Sequence, residues 1–214
     1  MEFISKELDR YCTSHTSSAD KVLEELNRET HTSVLNPRMI SGNLQGQFLT
    51  MLSRMMRPKC ILEIGTYTGY SAICLAKGMP VEGVLHTIDV NEELEEMNSR
   101  YFEKAGFEHQ IVQHIGDASK LIPNLDFNID LAFIDADKKN YPLYFDLLID
   151  KMNPGGWIIA DNVLWSGKVI EEVSPGDKAT LALLEYNKKV HEDPRVENLL
   201  LPLRDGLMIC RKKE

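Results

Sequence analysis

The chain has 214 residues, 43% of them hydrophobic and 27% charged, with a formal net charge of -9. That length suits one domain with a sizeable core, and no segment approaches the roughly 20 apolar residues of a membrane span. The acidic balance repels nucleic acid on average, because phosphate binding relies on clustered Lys and Arg, so a small-molecule partner is expected.

The start of the chain, "MEFISKELDRYC", is charged from its second residue and lacks the basic start and apolar run of a secretory signal, which points to the cytosol. Cys12, Cys60, Cys74 and Cys210 lie far apart without C-x-x-C spacing, so neither a zinc site nor a redox pair is indicated. Free thiols in a reducing compartment are expected.

Residues Glu2 to Cys12 carry Phe3, Ile4, Leu8 and Tyr11 near helical spacing. Ser17 precedes a second amphipathic run with Val22, Leu23 and Leu26, and Asp20 in its first turn. A third helix is predicted from near Ser41, with Leu44, Phe48, Met51, Leu52 and Met55 as its core-facing side, ending before Pro58 because proline cannot continue the hydrogen-bond ladder. These helices form an amino-terminal cap, residues 1–57, of a single domain whose α/β core is residues 58–214.

From there short apolar runs, "CILEI", "GVLHTID", "HQIVQHI", "IDLAFID" and "GWIIAD", alternate with helical stretches. One of these stretches, Asn91 to Ala105, opens on an asparagine cap and closes at Gly106. Continuous apolar strands joined by helices predict a doubly wound, mostly parallel sheet covered on both faces. "VENLLLPL" and "GLMICRK" are divided only by Arg204 and Asp205, too short a gap for a crossover, and predict an antiparallel hairpin at the sheet edge. The total is seven strands.

In such a sheet ligands bind beyond the carboxyl ends of the strands. The first loop there, "ILEIGTYTGYS", has Gly65 and Gly69 for tight turning and Ser71 as a partner for a carboxylate. Its spacing is G-x-x-x-G rather than the G-x-G-x-x-G of dinucleotide sites, and its strand ends on Glu63, an acid that would oppose a pyrophosphate and suit an amine. Asp89, about 26 residues after Glu63, is placed to accept from two ribose hydroxyls, although Asp is also a common helix cap. An adenosine-containing ligand follows, in a dehydrogenase or a methyltransferase.

Asp135 closes the fourth strand, and Asp161 with Asn162 closes the fifth. If the two strands are neighbours, three hard oxygen donors converge, which suits Mg²⁺ with Ca²⁺ or Mn²⁺ as further candidates, and disfavours zinc. A calcium-loop reading of "DADKKNYPLYFD" fails, because Lys139 stands where a ligand belongs, Asn140 replaces the turn glycine and Asp146 fills position twelve. Lys138, at a helix start three residues past Asp135, can face the same pocket, where a bound cation would favour its neutral, proton-accepting form.

Taken together, "GNLQGQFLTML", "LEIGTYTGYSA", "TIDVN", "IDLAFIDADKKNY", "GGWIIADNVLWSG" and "LPLRDGLMIC" resemble, in order and spacing, the cation-dependent small-molecule O-methyltransferases. That family includes catechol O-methyltransferase and the caffeoyl-CoA O-methyltransferases, and "DADK" and "DNVLW" follow the bacterial members related to the caffeoyl-CoA enzymes.

The resemblance implies a Rossmann-like class I methyltransferase fold with S-adenosylmethionine lying across the ends of the first, second and fourth strands. Ser41, Glu63, Gly65, Thr66, Tyr67 and Ser71 would surround its methionine part. Asp89 would hold its ribose, Asp117 and Ala118 would border its adenine, and Asp135 would stand beside it. The resemblance further implies a metal on Asp135, Asp161 and Asn162, Lys138 as base, a catechol-like or caffeoyl-type acceptor, and a homodimer. Acceptor specificity is expected in the amino-terminal region and in the loop from Asn162 to Asp177, where Trp165 would either wall an aromatic ring or pack into the core.

Overall fold

The computed structural model describes residues 4–214. Its seven strands are β1 (Cys60–Ile64), β2 (Val84–Asp89), β3 (Ile111–Ile115), β4 (Ile129–Ile134), β5 (Met152–Asp161), β6 (Val196–Leu201) and β7 (Leu207–Lys212). They form one sheet in the order β3-β2-β1-β4-β5-β7-β6. The chain groups into two compact units, Cys60–Gly65 with Asp117–Glu214, and Ile4–Lys59 with Thr66–Gly116.

The second of these units holds helices α1 (Lys6–Ser14), α2 (Lys21–Ser33), α3 (Gly42–Met56), α4 (Tyr70–Ala76) and α5 (Glu95–Lys104), with β2 and β3 paired in parallel. Helix α1 starts at Lys6 on a Ser5 cap, and its Leu8 and Tyr11 are exposed. Glu2 and Phe3, expected in this helix, lie outside the described residues. Helix α2 is capped by Asp20, which was expected in its first turn, through a 3.0 Å bond from the Leu23 N–H to its carboxylate. Asp20 stands directly before the first helical residue, which is where a side-chain acceptor reaches an unpaired N–H.

Helix α3 begins after Ser41, as expected, but buries a different face. Gln45, Gly46, Leu49, Thr50 and Ser53 are buried, whereas Met51 and Met55 are exposed. The cause is α4. A Cβ on Gly46 would lie 2.7 Å from the Tyr70 ring and 2.9 Å from the Cys74 sulfur, so the helices approach as only glycine permits. Thr50 and Ser53 donate to the Cys74 and Leu75 carbonyls at 3.0 and 2.6 Å, tying α3 to the last turn of α4.

The first unit holds α6 (Ala118–Leu121), α7 (Tyr141–Ile149) and α8 (Lys178–Glu192) beside the remaining strands. Strands β1 and β4 pair in parallel with Leu62 opposite Ala132, and β4 and β5 with Ile134 opposite Ala160. The antiparallel hairpin is present, with β7 between β5 and β6. Ile61, Leu62, Leu131, Phe133 and Ile159 are fully buried, which is why these strands read as unbroken apolar runs. The order reverses at the β1–β4 pair, where a ligand crevice is expected at the carboxyl ends.

His86 on β2 and His114 on β3 meet across the ladder, Nδ1 to Nε2 at 3.0 Å. Burial, followed by the neighbouring imidazole, lowers His86 to about 4, and burial lowers His114. Both rings are therefore neutral in the folded chain where an unfolded histidine, titrating near 6.5, begins to charge. The folded state binds fewer protons below that value, so stability falls as pH drops from about 6.5 towards 4. Urea midpoints at pH 7 and pH 5 should show this loss, and His86→Gln should reduce the difference.

Candidate active site

The β4–β5 register decides what the ends of these strands can do. With Ile134 opposite Ala160, the next residues, Asp135 and Asp161, stand on neighbouring strand tips, and adjacent strands run about 4.8 Å apart. Asp161 is 3% exposed, and its Oδ1 accepts the Asn162 N–H at 2.7 Å. Asn162 adopts a left-handed conformation, φ 60°, so the chain turns sharply as it leaves β5.

Lys138 opens a short 3₁₀ turn, Lys138–Asn140, that runs into α7. Its side chain is 9% exposed, and the ammonium donates to Asp135 Oδ1 at 3.0 Å and to the Tyr141 hydroxyl at 2.6 Å. That hydroxyl donates in turn to the Asp161 carbonyl oxygen at 3.0 Å. Burial, reinforced by the Asp135 and Asp161 charges, pushes the Tyr141 hydroxyl well above its ordinary value, so it keeps its proton. Asp135, Lys138, Tyr141 and the end of β5 thus form one connected chain. Sequence reasoning missed Tyr141; its signal was the i, i+3 spacing from Lys138 at a helix start, which places two side chains on one face.

The donor set fits a hard divalent cation, since it offers two carboxylates and an amide, all oxygen ligands, on strand ends that the sheet holds fixed. Among the described residues no cluster of three or more His, Cys, Asp or Glu is assembled for a metal, so the amide of Asn162 is needed to complete this set. Asp137 is occupied otherwise, accepting from the Tyr144 hydroxyl at 2.6 Å and from the Asn140 amide at 2.7 Å.

In the same unit Gly65 follows β1 with φ 101°, and a Cβ there would lie 2.0 Å from the Asp135 carbonyl oxygen. Only glycine permits that approach. Glu63 is fully buried, and Ala118 is buried at the start of α6. Asp117 caps α6, its Oδ1 accepting the Ser119 hydroxyl at 2.7 Å and the Ser119 N–H at 2.9 Å, and these bonds lower its pKa.

The other unit carries Ser41, Thr66, Tyr67, Ser71 and Asp89. Asp89 is not the helix cap that was its alternative reading. Its Oδ2 accepts the Tyr67 N–H at 2.8 Å and its Oδ1 the Asn91 N–H at 2.9 Å, while Asn91 caps the following turn. Two backbone donors thus fix the carboxylate, whose remaining lone pairs can accept from a diol. Tyr67 itself is left-handed, φ 47°, a strain of about 1 kcal/mol or more for a residue with a Cβ. Thr66 and Thr87 join hydroxyls at 2.6 Å, and Ser41 and Ser71 are buried at or near the starts of α3 and α4.

A seven-stranded sheet of this order, with a glycine turn after β1 and an acid ending β2, is that of a Rossmann-like methyltransferase. The O-methyltransferase family model matches residues 13–213, and the chain belongs to that family. It is 37% identical over 209 residues to the caffeoyl-CoA O-methyltransferase of Medicago sativa, covering 90% of this chain and 82% of that protein. It is 40% identical over 185 residues to caffeoyl-CoA O-methyltransferase 1 of Arabidopsis thaliana, covering 78% of this chain and 69% of that protein.

Two similar solved structures are the O-methyltransferase TomG from Streptomyces achromogenes in complex with SAM and the O-methyltransferase from Bacillus cereus in complex with SAH. The former has a TM-score of 0.90 at 28% identity, covering 97% of this chain and 96% of that one. The latter has a TM-score of 0.90 at 30% identity, covering 97% of each. The chain is an S-adenosylmethionine-dependent O-methyltransferase of the caffeoyl-CoA type, which removes the dehydrogenase alternative.

Tyr141→Phe should test the connected chain. It withdraws a buried hydroxyl from the Lys138 ammonium and the Asp161 carbonyl, so stability should fall by about 1–3 kcal/mol. A urea midpoint unchanged from the parent protein would show that the hydroxyl holds nothing in place.

Proposed function

We propose that this enzyme transfers a methyl group from S-adenosylmethionine to a hydroxyl of a catechol-like or caffeoyl-type phenolic compound. In this reading Asp135, Asp161 and Asn162 hold a divalent cation, Mg²⁺ first and Ca²⁺ or Mn²⁺ next, and Lys138 is the base. The observation that carries it is the pairing of two acid-tipped parallel strands, with the Lys138 ammonium 3.0 Å from one of the acids. The caffeoyl-CoA names of the curated relatives point to the same acceptor class.

When bound, the cation supplies a Lewis acid that favours the phenolate over the phenol. Two adjacent hydroxyls chelate such an ion better than one, which is why a vicinal diol is the expected acceptor. With the cation bound, Lys138 would be held in its neutral form and would take the acceptor proton at Nζ, kept in position by Asp135 Oδ1 and the Tyr141 hydroxyl. Ser41, Glu63, Gly65, Thr66, Tyr67 and Ser71 serve the methionine part of the donor, Asp89 its ribose, Asp117 and Ala118 its adenine, with Asp135 beside it. Methyl passes in line from sulfonium to oxygen, so alignment of the two substrates is the protein's main task and can contribute about 7–11 kcal/mol. The half-buried Trp165, in the loop after Asn162, walls the acceptor ring. Pairing of two copies belongs to the same reading, and a single-chain mass by light scattering would remove that part of it.

The deciding experiment is methyl transfer to a panel of catechols with and without chelator. Turnover should stop on thorough metal removal and return with Mg²⁺; turnover indifferent to the chelator overturns the cation assignment. Asp161→Ala should abolish turnover while S-adenosylmethionine still binds within a few-fold of the parent affinity. Lys138→Ala should lower turnover by about 10²–10⁴-fold, the usual contribution of a positioned base, with donor affinity kept. A fully active Lys138→Ala enzyme would assign the proton to another group.

A further inference from the structure

The segment that leaves β5 is held in an unusual backbone form. Asn162, Trp165, Ser166 and Gly167 have φ values of 60°, 48°, 55° and 86°, and three of the four carry a Cβ. Residues of this kind keep left-handed conformations only where surrounding contacts over-determine them. The contacts come from the β6–β7 turn. Gly206 and Asp205 accept the Val163 and Leu164 N–H groups through their carbonyl oxygens, at 3.1 and 2.9 Å. A third bond runs from the Ser166 N–H to Asp205 Oδ1. Gly206 is itself left-handed, and a Cβ on it would lie 2.3 Å from Leu164, so turn and segment are in direct contact.

The first two bonds use main-chain oxygens and are indifferent to side-chain identity. The third is different, because it exists only if residue 205 supplies an oxygen of the right reach. It acts at Ser166, between Trp165 and Gly167, where the left-handed residues are consecutive. A charged acceptor on a backbone N–H is among the stronger protein hydrogen bonds.

We propose that Asp205 is a positioning residue for the methyl acceptor. By capturing the Ser166 N–H, its carboxylate holds Trp165 and Ser166 in their left-handed form and so fixes the wall that stands next to Asn162. The acceptor part of this inference rests on the function proposed above; the loop part does not. A side chain in the β6–β7 hairpin, remote in sequence from Asp135, Lys138 and Asp161, thus sets how the acceptor lies.

The test uses Trp165 as a reporter. The chain has two tryptophans, so Trp157→Phe leaves Trp165 as the only one. In that background Asp205→Ala should raise the acrylamide quenching constant of Trp165 at least about twofold, as a locally loosened segment admits quencher more readily. Asp205→Asn, which keeps an oxygen at the same reach, should stay close to the parent. With a catechol acceptor, Asp205→Ala should raise the acceptor KM about tenfold through misplacement, with the S-adenosylmethionine dissociation constant unchanged and Asp205→Asn largely restored.

Equal quenching with Asp and Ala at position 205 overturns the proposal, as does increased quenching with an unmoved acceptor KM. Where the alanine variant does not fold, Asp205→Glu, whose longer arm misplaces the oxygen, takes its place with the same expected directions. A catechol panel inert even for the parent enzyme counts against the acceptor class, while the quenching comparison still decides the role of Asp205 in the loop.

Discussion

The parallel register between β4 and β5 is the constraint on which the candidate site depends. It carries Asp135 and Asp161 to the same height on adjacent strands, about 4.8 Å apart, where two like charges repel. A fold tolerates that arrangement when positive charge is provided nearby, and here the Lys138 ammonium provides part of it. The ammonium is in turn anchored by a tyrosine hydroxyl that burial keeps protonated. Repulsion built into the sheet is thereby converted into a fixed array of one cationic and two anionic groups, at the carboxyl ends of strands beside the β1–β4 order reversal.

Most of this was legible in the sequence because buried parallel strands have no solvent side. "CILEI" corresponds to β1 without adjustment, and "IDLAFID" overruns β4 by one residue, its terminal Asp135. The carboxylates were conspicuous because they end apolar runs. Helix α3 was misjudged for a definite reason. Periodicity assumes that the largest apolar residues face the core, but close packing against α4 selected Gly46 for its missing side chain and Thr50 and Ser53 for their hydroxyls. Which face a helix turns inward depends on its partner, and no single helix spells that out.

Tyr141 and Asp205 were missed by the same logic. A tyrosine in "KKNYPLYF" reads as an ordinary core aromatic, and its hydroxyl gains a role only once the β5 carbonyl lies 3.0 Å away. Aspartate beside glycine in "LRDG" reads as turn chemistry, which it also is. Its carboxylate gains a second use only because the turn meets another segment of the chain.

That meeting follows from strand direction. In a purely parallel sheet the end that carries the carboxyl termini receives only the loops that leave those strands. Here β7 runs antiparallel to β5 with Leu207 opposite Asp161, so its amino-terminal end, and the turn before it, arrive beside the tip of β5. The hairpin adds to the candidate site a segment far along the chain from the acidic strand tips. Gly206 and the two carbonyl bonds secure the approach whatever the side chain at position 205, and that side chain is left to adjust the loop next to Asn162. In the proposed reading, a change at position 205 would alter the acceptor wall without touching the register that brings Asp135 and Asp161 together, so acceptor placement and cation binding would have separate structural supports.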